Sequence, residues 1–417
     1  MSFQQGLSGL SAASQNLDVI GNNVANSSTV GFKESSVDFA DIYAGAEAAT
    51  SANTVGLGVR VAAVNQSFTQ GTISTTNNPL DVAINGQGFF LLSQNGASVY
   101  SRDGQFKLDN NGDIVNSQGA QLMGYAAGSA GSILATATPG PMKISSADLA
   151  AKPSTAVQAE LNLDSSSPTL VAANFNPNDS TTYNFATSTN VFDSLGNSHA
   201  LGLYFVPTGP NGSGENVWQV FGTSGGSVIG GAPAAPIGHL TFTTSGAVDT
   251  ANSTFPGSVN LPITGGAASP LPIRLDFAGT TQFGSSSAVN QLTQDGFTSG
   301  QLANYSISSD GIVSGSYTNG QTQTLGQVAL ANFASPEGLA PLGNNLWAQT
   351  AASGTPLLGA PNTGSLGSLQ SGAVEGSNVD LTTQLVDMIT AQRDYQANAQ
   401  TIKTESALMQ TLVNLPV

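Results

Sequence analysis

Three sets of residues have types and spacings that could do chemistry. Asp193, Ser198 and His199 supply an acid, a hydroxyl and an imidazole, the residue types of a hydrolytic triad. All three fall in one short hairpin turn, a poor place to assemble a nucleophile, a base and a substrate cleft. Asp109, Asn111 and Asp113 around Gly112 have the spacing of a calcium loop, but Ala120 stands at the twelfth position, where a bidentate Glu belongs. A hairpin turn accounts for the same Asp, Asn and Gly. Gly86-Gln87-Gly88 lacks the third glycine of a dinucleotide loop and opens no helix. His199 and His239 are the only histidines, and no cysteine exists to complete a ligand set with them. Trp218 and Trp347 read as core residues. The expectation is a protein that is not an enzyme and has no cofactor or metal.

Composition narrows the class. A chain of 417 residues is expected to form two to four domains. Charged residues make up 8% of it, against about 25% in ordinary globular proteins. Glycine, Ser, Thr, Asn and Gln occupy much of what would be charged surface. A net charge of −16, from 25 acids and 9 bases, argues against nucleic acid or an anionic membrane as partner, since either requires a basic face. The absence of cysteine excludes disulfides and thiol chemistry. No apolar run approaches the roughly 18 residues of a membrane span. The first Lys is Lys33, and no secretory signal is legible ahead of it. These features suit a polar, thiol-free protein able to live outside the cell.

The elements that organise the chain lie at its ends. Leu381, Leu385, Met388, Gln392, Tyr395, Ala399, Ile402, Ser406, Met409 and Val413 follow alternating steps of four and three, a seam that only a helix can place on one face. Ser377 with Asp380 resembles a capping box at its start, and Pro416 closes its end. At about 1.5 Å per residue the rod is roughly 50 Å long. Phe3, Leu7, Leu10, Ser14, Leu17, Gly21 and Val24 repeat the same steps, with Ser2 and Gln5 as the cap. Gly6, Gly9 and Gly21 each cost that helix about 1 kcal/mol relative to Ala. Ser, Asn and Gln flank the seams where partner-selecting coiled coils place charges, and Asp18 is the one charged side chain before Lys33. Such helices could simply tie down the termini of one globular protein. The favoured expectation is that neighbouring subunits of an assembly hold them, because each is long, weakly specified and terminal.

Between the helices, period-two patterns and turn dipeptides predict β structure. Residues 59–145 read as mostly antiparallel, with Asn85-Gly86 as a hairpin turn into Phe89-Phe90 and further turns at Asp103-Gly104 and Asn111-Gly112. Asp193-Ser194-Leu195-Gly196-Asn197 predicts another hairpin, within a middle region that looks like a separate small β domain. Asp310-Gly311 marks a third, after strands resume near Leu275.

Several separated stretches resemble one family. Ala25-Asn26-Ser27-Ser28-Thr29-Val30-Gly31-Phe32-Lys33 is similar to the N-terminal signature of bacterial flagellar rod and hook proteins, although their common Asn-Thr is replaced by Ser27-Ser28-Thr29. Asn77-Asn78-Pro79-Leu80-Asp81-Val82-Ala83-Ile84-Asn85-Gly86-Gln87-Gly88-Phe89-Phe90 resembles their first β motif. Gln384-Leu385-Val386-Asp387-Met388-Ile389 and Gln392-Arg393-Asp394-Tyr395-Gln396 resemble their C-terminal helix. Val191-Phe192-Asp193-Ser194-Leu195-Gly196-Asn197-Ser198-His199 and Asp295-Gly296-Phe297-Thr298-Ser299-Gly300-Gln301-Leu302, with Leu342-Gly343-Asn344-Asn345-Leu346-Trp347 downstream, narrow the resemblance to the hook members. Residues 207–272 show no pattern of the family.

The resemblance implies an α+β, mainly β fold, with nested discontinuous β domains on a paired, coiled-coil-like layer of N- and C-terminal helices. The expected divisions are a helical assembly domain at 1–30 and 375–417, a linker or extended segment at 31–70, an inner β domain at 71–145 and 277–370, and an inserted outer β domain at 146–276. The expected self-assembly seam is Phe3, Leu7, Leu10, Leu17, Val24, Leu381, Leu385, Met388, Tyr395, Ile402, Met409 and Val413. It implies a structural subunit of the hook, polymerising with itself into a tube that couples rod to filament. Implied neighbours are the distal rod protein, the hook cap, the hook–filament junction protein and the flagellar export apparatus, without nucleic acid or membrane insertion. The expected location is extracellular, in the hook, after export without a cleaved signal. Two alternatives remain: a distal rod protein, which is shorter and lacks the middle domain, and a monomeric extracellular β-rich adhesin whose terminal helices merely clasp.

Overall fold

The computed structural model describes residues 2–42, 56–128, 131–133, 138–145, 147–231, 234–254 and 257–413. The chain forms two compact units: Met1–Ser146, Asn304–Ser316 and Thr322–Val417 make the first, and Ala147–Ala303 with Tyr317–Gln321 the second.

In the first unit, α1 (Ser2–Ala25) and α2 (Leu381–Val413) run antiparallel, so that Gly6 lies against Ile402 and Asn23 hydrogen-bonds Gln384. The cap of α2 is Asp380 rather than Ser377. Asp380 Oδ1 accepts the N–H groups of Thr382 at 2.8 Å and Thr383 at 3.2 Å, the reach of an N-cap side chain into the first turn. Pro416 lies outside the described residues. The expected linker or extended segment at 31–70 contains paired strands. β1 (Ser35–Ile42) and β2 (Gly58–Gln66) pair as an antiparallel hairpin, with a register shift between Asp38 and Phe39. The hairpin is tied to α1 by Val59 N–H donating to Ser8 Oγ and Gln5 Nε2 donating to the Gly56 carbonyl. Alternation supplies its half-buried side, with Val37 and Val61 between exposed neighbours.

The segment that follows β2 is stitched to the segment that precedes α2. Ile73–Thr75 pairs with Ala373–Glu375, and Val82–Asn85 pairs with Ser368–Ser371. Asn85-Gly86 therefore does not close a hairpin, because the strand before it belongs to a distant partner. The two-residue hairpin lies instead at Asn95-Gly96, with φ of 51° and 84°, joining Phe89–Gln94 to Ala97–Ser101. Strand 89–94 also pairs with Gln121–Ala126 and Leu330–Asn332, which brings early and late chain into one sheet. Its core stacks Phe89 edge-on against Phe68, Phe333 and Trp347, with centroids 5.3–5.9 Å apart.

The second unit has two five-stranded sheets. One joins Ala156–Asp164 in parallel to Leu271–Asp276 and Thr281–Phe283, and antiparallel to Ala288–Gln294. The other runs Phe185–Phe192, Ser198–Pro210 and Asn216–Ser224 antiparallel. Leu161, Leu203, Phe205, Trp218, Phe242, Leu261 and Ile273 from both sheets share one core. The expected boundary at 276 is thus too early: strands 281–283 and 288–294 hydrogen-bond to 156–164 and belong to this unit. Asp295 pins the same edge. Its carboxylate accepts Thr155 N–H at 2.7 Å, Ala156 N–H at 3.0 Å and the Thr155 hydroxyl at 2.7 Å.

Both units reuse one five-residue turn, at 109–113, 116–120, 193–197, 211–215, 243–247, 308–312 and 317–321. The first residue's N–H donates to the fifth residue's carbonyl, and the fourth residue's N–H donates back to the first. The fourth residue is always Gly, with φ between 76° and 85°, where a Cβ is strained. The Asp or Asn that often opens the turn accepts N–H groups two and four residues on, as Asp109, Asn116, Asp193 and Asn211 do. The calcium-like spacing at Asp109 has this origin.

Two outcomes are expected. Joining Ser145 to Asn304 through a short Gly/Ser linker leaves the first unit with one cooperative thermal transition by circular dichroism. Joining Ile144 to Phe277 strands 281–283 and 288–294 without their partner and broadens that transition or aggregates the protein. In the second unit, burial alone would raise the carboxyls of Asp193 and Asp295. Hydrogen bonds from His199, Asn197 and Leu195, and from Thr155, Ala156 and Lys152, outweigh it and hold both below the ordinary range. Their folded values lie below the unfolded value of about 3.9, so their contribution is full above that pH and is lost as pH falls through the folded values. The urea midpoint of the second unit is expected to drop between about pH 5 and about pH 3, and to drop less in Asp295→Asn.

Candidate assembly surface on the terminal helices

The helix pair is built on small residues. A Cβ on Gly6 would lie 3.0 Å from Ile402 Cγ1, and one on Gly9 would lie 2.7 Å from Asn398 Oδ1, so glycine lets the backbones approach. Ala13, Ile20 and Asn23 continue this buried side of α1. Opposite them on α2, Gln384 and Ala391 are buried, and Met388, Asn398 and Ile402 are half-buried. The buried Asn23 amide donates to Gln384 Oε1 at 3.1 Å and to the Ser35 carbonyl at 2.8 Å, and its oxygen accepts Ser35 N–H. Gln384 Nε2 in turn donates to Glu34 Oε1 at 2.7 Å.

The α1–α2 contact lies one residue ahead of the expected self-assembly seam on α1 and shares Met388 and Ile402 with it on α2. On α1 the seam positions Phe3 and Leu7 are 46% and 52% exposed, and Leu10, Leu17 and Val24 are half-buried. On α2, Met388 and Ile402 turn toward α1. Leu381, Leu385, Tyr395 and Met409 stay exposed, and the Val413 side chain lies outside the described residues. The apolar residues therefore do not chiefly pair the two helices. The glycine and alanine spacing 6, 9, 13 was the legible signal for the true contact side. Apolarity alone misses it, because the gain comes from close approach rather than side-chain size.

Below the helices, Glu375 collects two cations. Lys33 Nζ lies 2.7 Å from Oε1 and Arg102 Nε 2.9 Å from Oε2, and neither the Lys33 nor the Glu375 side chain exposes any surface. Lys33 also donates to the Thr69 carbonyl at 2.7 Å, Arg102 donates to the carbonyls of Gly86 and Gly88, and Gly71 N–H donates to Oε1. Burial pushes the Lys33 ammonium below its ordinary value; Glu375 opposes that shift and Arg102 adds to it. Gly86-Gln87-Gly88 thus presents carbonyls to an internal guanidinium.

The chemistry-like residues serve structure. Asp193 Oδ2 accepts from His199 Nε2 at 2.9 Å and Asn197 Nδ2 at 3.0 Å, while Oδ1 holds two turn N–H groups. Ser198 is exposed, and among the described residues no hydrogen bond joins it to His199. Asp113 accepts from Gln121 and pairs with Lys143 at 3.4 Å, and among the described residues no metal-binding cluster forms.

Comparison with known proteins meets this architecture. The chain is 45% identical to the flagellar hook protein FlgE of Escherichia coli K12, over the whole of both chains. It belongs to the flagellar hook protein family. FlgE of Salmonella typhimurium is 44% identical over the whole of both chains, and FlgE of Borreliella burgdorferi 32% over 99% of each. Four family descriptions match in order: flagella basal body rod protein at 3–33, the FlgE/F/G D1 domain at 83–159, the FlaE D2 domain at 162–297 and the FlgEFG C-terminal region at 370–415. The solved FlgE2 hook protein of Helicobacter pylori shares the fold, with a TM-score of 0.52 at 13% identity over 71% of this chain and 99% of that one. Within this hook-family chain, Lys33, Arg102 and Glu375 come from three different matched regions.

Removing the Glu375 carboxylate leaves two buried cations without counter-charge. Glu375→Ala is expected to cost the first unit about 3–5 kcal/mol. Urea denaturation of the full chain measures this, and the transition of the second unit should not move. A loss under about 1 kcal/mol would show that water reaches the cations.

Proposed function

We infer that this structural subunit of the bacterial flagellar hook polymerises through the apolar sides of α1 and α2 that their own packing leaves uncovered. One observation carries this. With the helix pair already formed, Phe3, Leu7, Leu381, Leu385, Val386, Ile389, Tyr395, Leu408 and Met409 remain exposed. Most large apolar side chains exposed among the described residues lie on these helices and on the β1–β2 hairpin, which adds Phe39 and Val64. Self-association removes that surface from water, at roughly 25 cal/mol per Å2. Family membership supports the further reading that the polymer adjoins the distal rod protein at one end, and the hook cap and later the junction protein at the other. On the same support, the subunit is exported unfolded by the flagellar apparatus without a cleaved signal. The distal rod and adhesin alternatives lose ground to full-length identity with hook proteins.

Leu385 is the test. At 46% exposure it contributes little to the monomer, so Leu385→Asp should leave β circular dichroism unchanged. In a polymer the same change forfeits burial worth about 1 kcal/mol or more per subunit and desolvates a carboxylate at every addition step. The expected result is soluble monomer with no tubes by electron microscopy, while Gln396→Glu still polymerises. Tubes of normal length from Leu385→Asp would remove the helices as the assembly element.

A further inference from the structure

We propose that the groove between α1, β1 and α2 accepts the basic outer side of α2 from a second copy of this chain. The inference rests on the assembly reading above and specifies how copies register. The groove has a volume of about 310 Å3; its apolar lining includes Ile20, Val37 and Ala391, and its acidic lining is Glu34, Asp387 and Asp394. The Glu34 carboxyl is held above its ordinary range, first by burial and then by the Asp387 and Asp380 carboxylates. Its hydrogen-bond donor, Gln384, is neutral. Among the described residues, no Lys or Arg forms a salt bridge with any of the three acids.

The missing counter-charge exists elsewhere on the subunit. Lys33, Arg102, Lys143, Lys152 and Arg274 are in ion pairs. Arg60, Lys107, Arg393 and Lys403 are exposed and make no ion pair among the described residues. Two of these four stand on α2. At about 100° per residue, Asp387 and Asp394 fall beside the α1-facing side of that helix, and Arg393 and Lys403 fall on sides turned away from the groove. The Gln392-Arg393-Asp394-Tyr395-Gln396 stretch therefore carries both halves of a contact that one chain cannot make with itself.

A long cationic side chain fits such a groove, with methylenes against the apolar lining and its head among carboxylates. Because acceptor and donor are different patches, the contact is heterologous: each copy offers a groove to one neighbour and a basic side to another. Such contacts propagate into open helical arrays instead of closing as a dimer. Exposed pairs of this kind are weak and screened by salt, so the contact sets register and growth rate while the apolar sides supply the cohesion.

The experiment uses the purified full-length chain, with polymerisation followed by light scattering. One variant reverses the groove, Asp387→Lys with Asp394→Lys; the other reverses the outer side, Arg393→Glu with Lys403→Glu. Each alone should elongate at least tenfold more slowly than the wild-type chain, with unchanged far-ultraviolet circular dichroism. An equimolar mixture should regain most of the wild-type rate, because each altered groove meets a matching outer side on the other variant. If a variant fails to fold, the single changes Asp394→Lys and Arg393→Glu take its place under the same mixing criterion. Variants that elongate like the wild type, or a mixture no faster than its parts, overturn the proposal and leave the assembly reading standing. A wild-type chain that does not polymerise overturns both.

Discussion

Everything in the first unit depends on where Glu375 is held. A chain with only 9 basic residues commits two of them, Lys33 and Arg102, to one fully buried carboxylate. Desolvating three charges is costly, and an apolar trio of similar volume could be as stable, so stability alone does not account for the arrangement. Its consequence is registration. The Glu375 side chain binds the residue after the α1 turn, the Gly71 amide and the guanidinium beside the Gly86–Gly88 carbonyls, while its own carbonyl accepts Gly31 N–H at 2.8 Å. Asn378 then ties Glu34, Ser67 and Thr69 together just before Asp380 caps α2. The path from strand 373–375 to α2 is short and hydrogen-bonded throughout, so the helix leaves the β framework in a set direction.

From that anchor, the helix pair follows a division of surface. Gly6, Gly9 and Ala13 give close approach and bury little apolar area of their own. Most of the larger apolar residues stay outside the pair, at an energetic cost to the free subunit that association can relieve. A subunit packed to exhaustion on its own would have nothing left with which to bind its copies. The scarcity of charge serves the same end, since repulsion between net-negative copies is kept away from most of this layer.

Carboxylates elsewhere accept backbone and hydroxyl hydrogen bonds within the fold. Asp109 and Asp193 spend their oxygens on groups of their own turns, and Asp295 spends its oxygens on the distant Thr155 and Ala156. The His199 imidazole completes the Asp193 shell in the same capacity.

What the sequence by itself determined was whatever is encoded at short range. The four-three spacing gives the extent of α2, and the Gly at the fourth position of the 193–197 and 308–312 turns gives those hairpins, since helix period and turn geometry depend on residues a few places apart. Motifs at both ends also carried the hook resemblance. Only the tertiary structure decided which partner each element takes. Asn85-Gly86 has every local mark of a hairpin, yet its strand prefers 368–371. The partner of strand 58–66 is not legible until strand 35–42 pairs with it against α1, and strands 281–294 join whichever unit holds 156–164. Glycine proximity, not apolar count, fixes the contact between α1 and α2. Lys33 and Glu375 are 342 residues apart, and nothing in the neighbourhood of either names the other. Their pairing exists only because burial makes an unpartnered charge too costly to leave where the fold puts it.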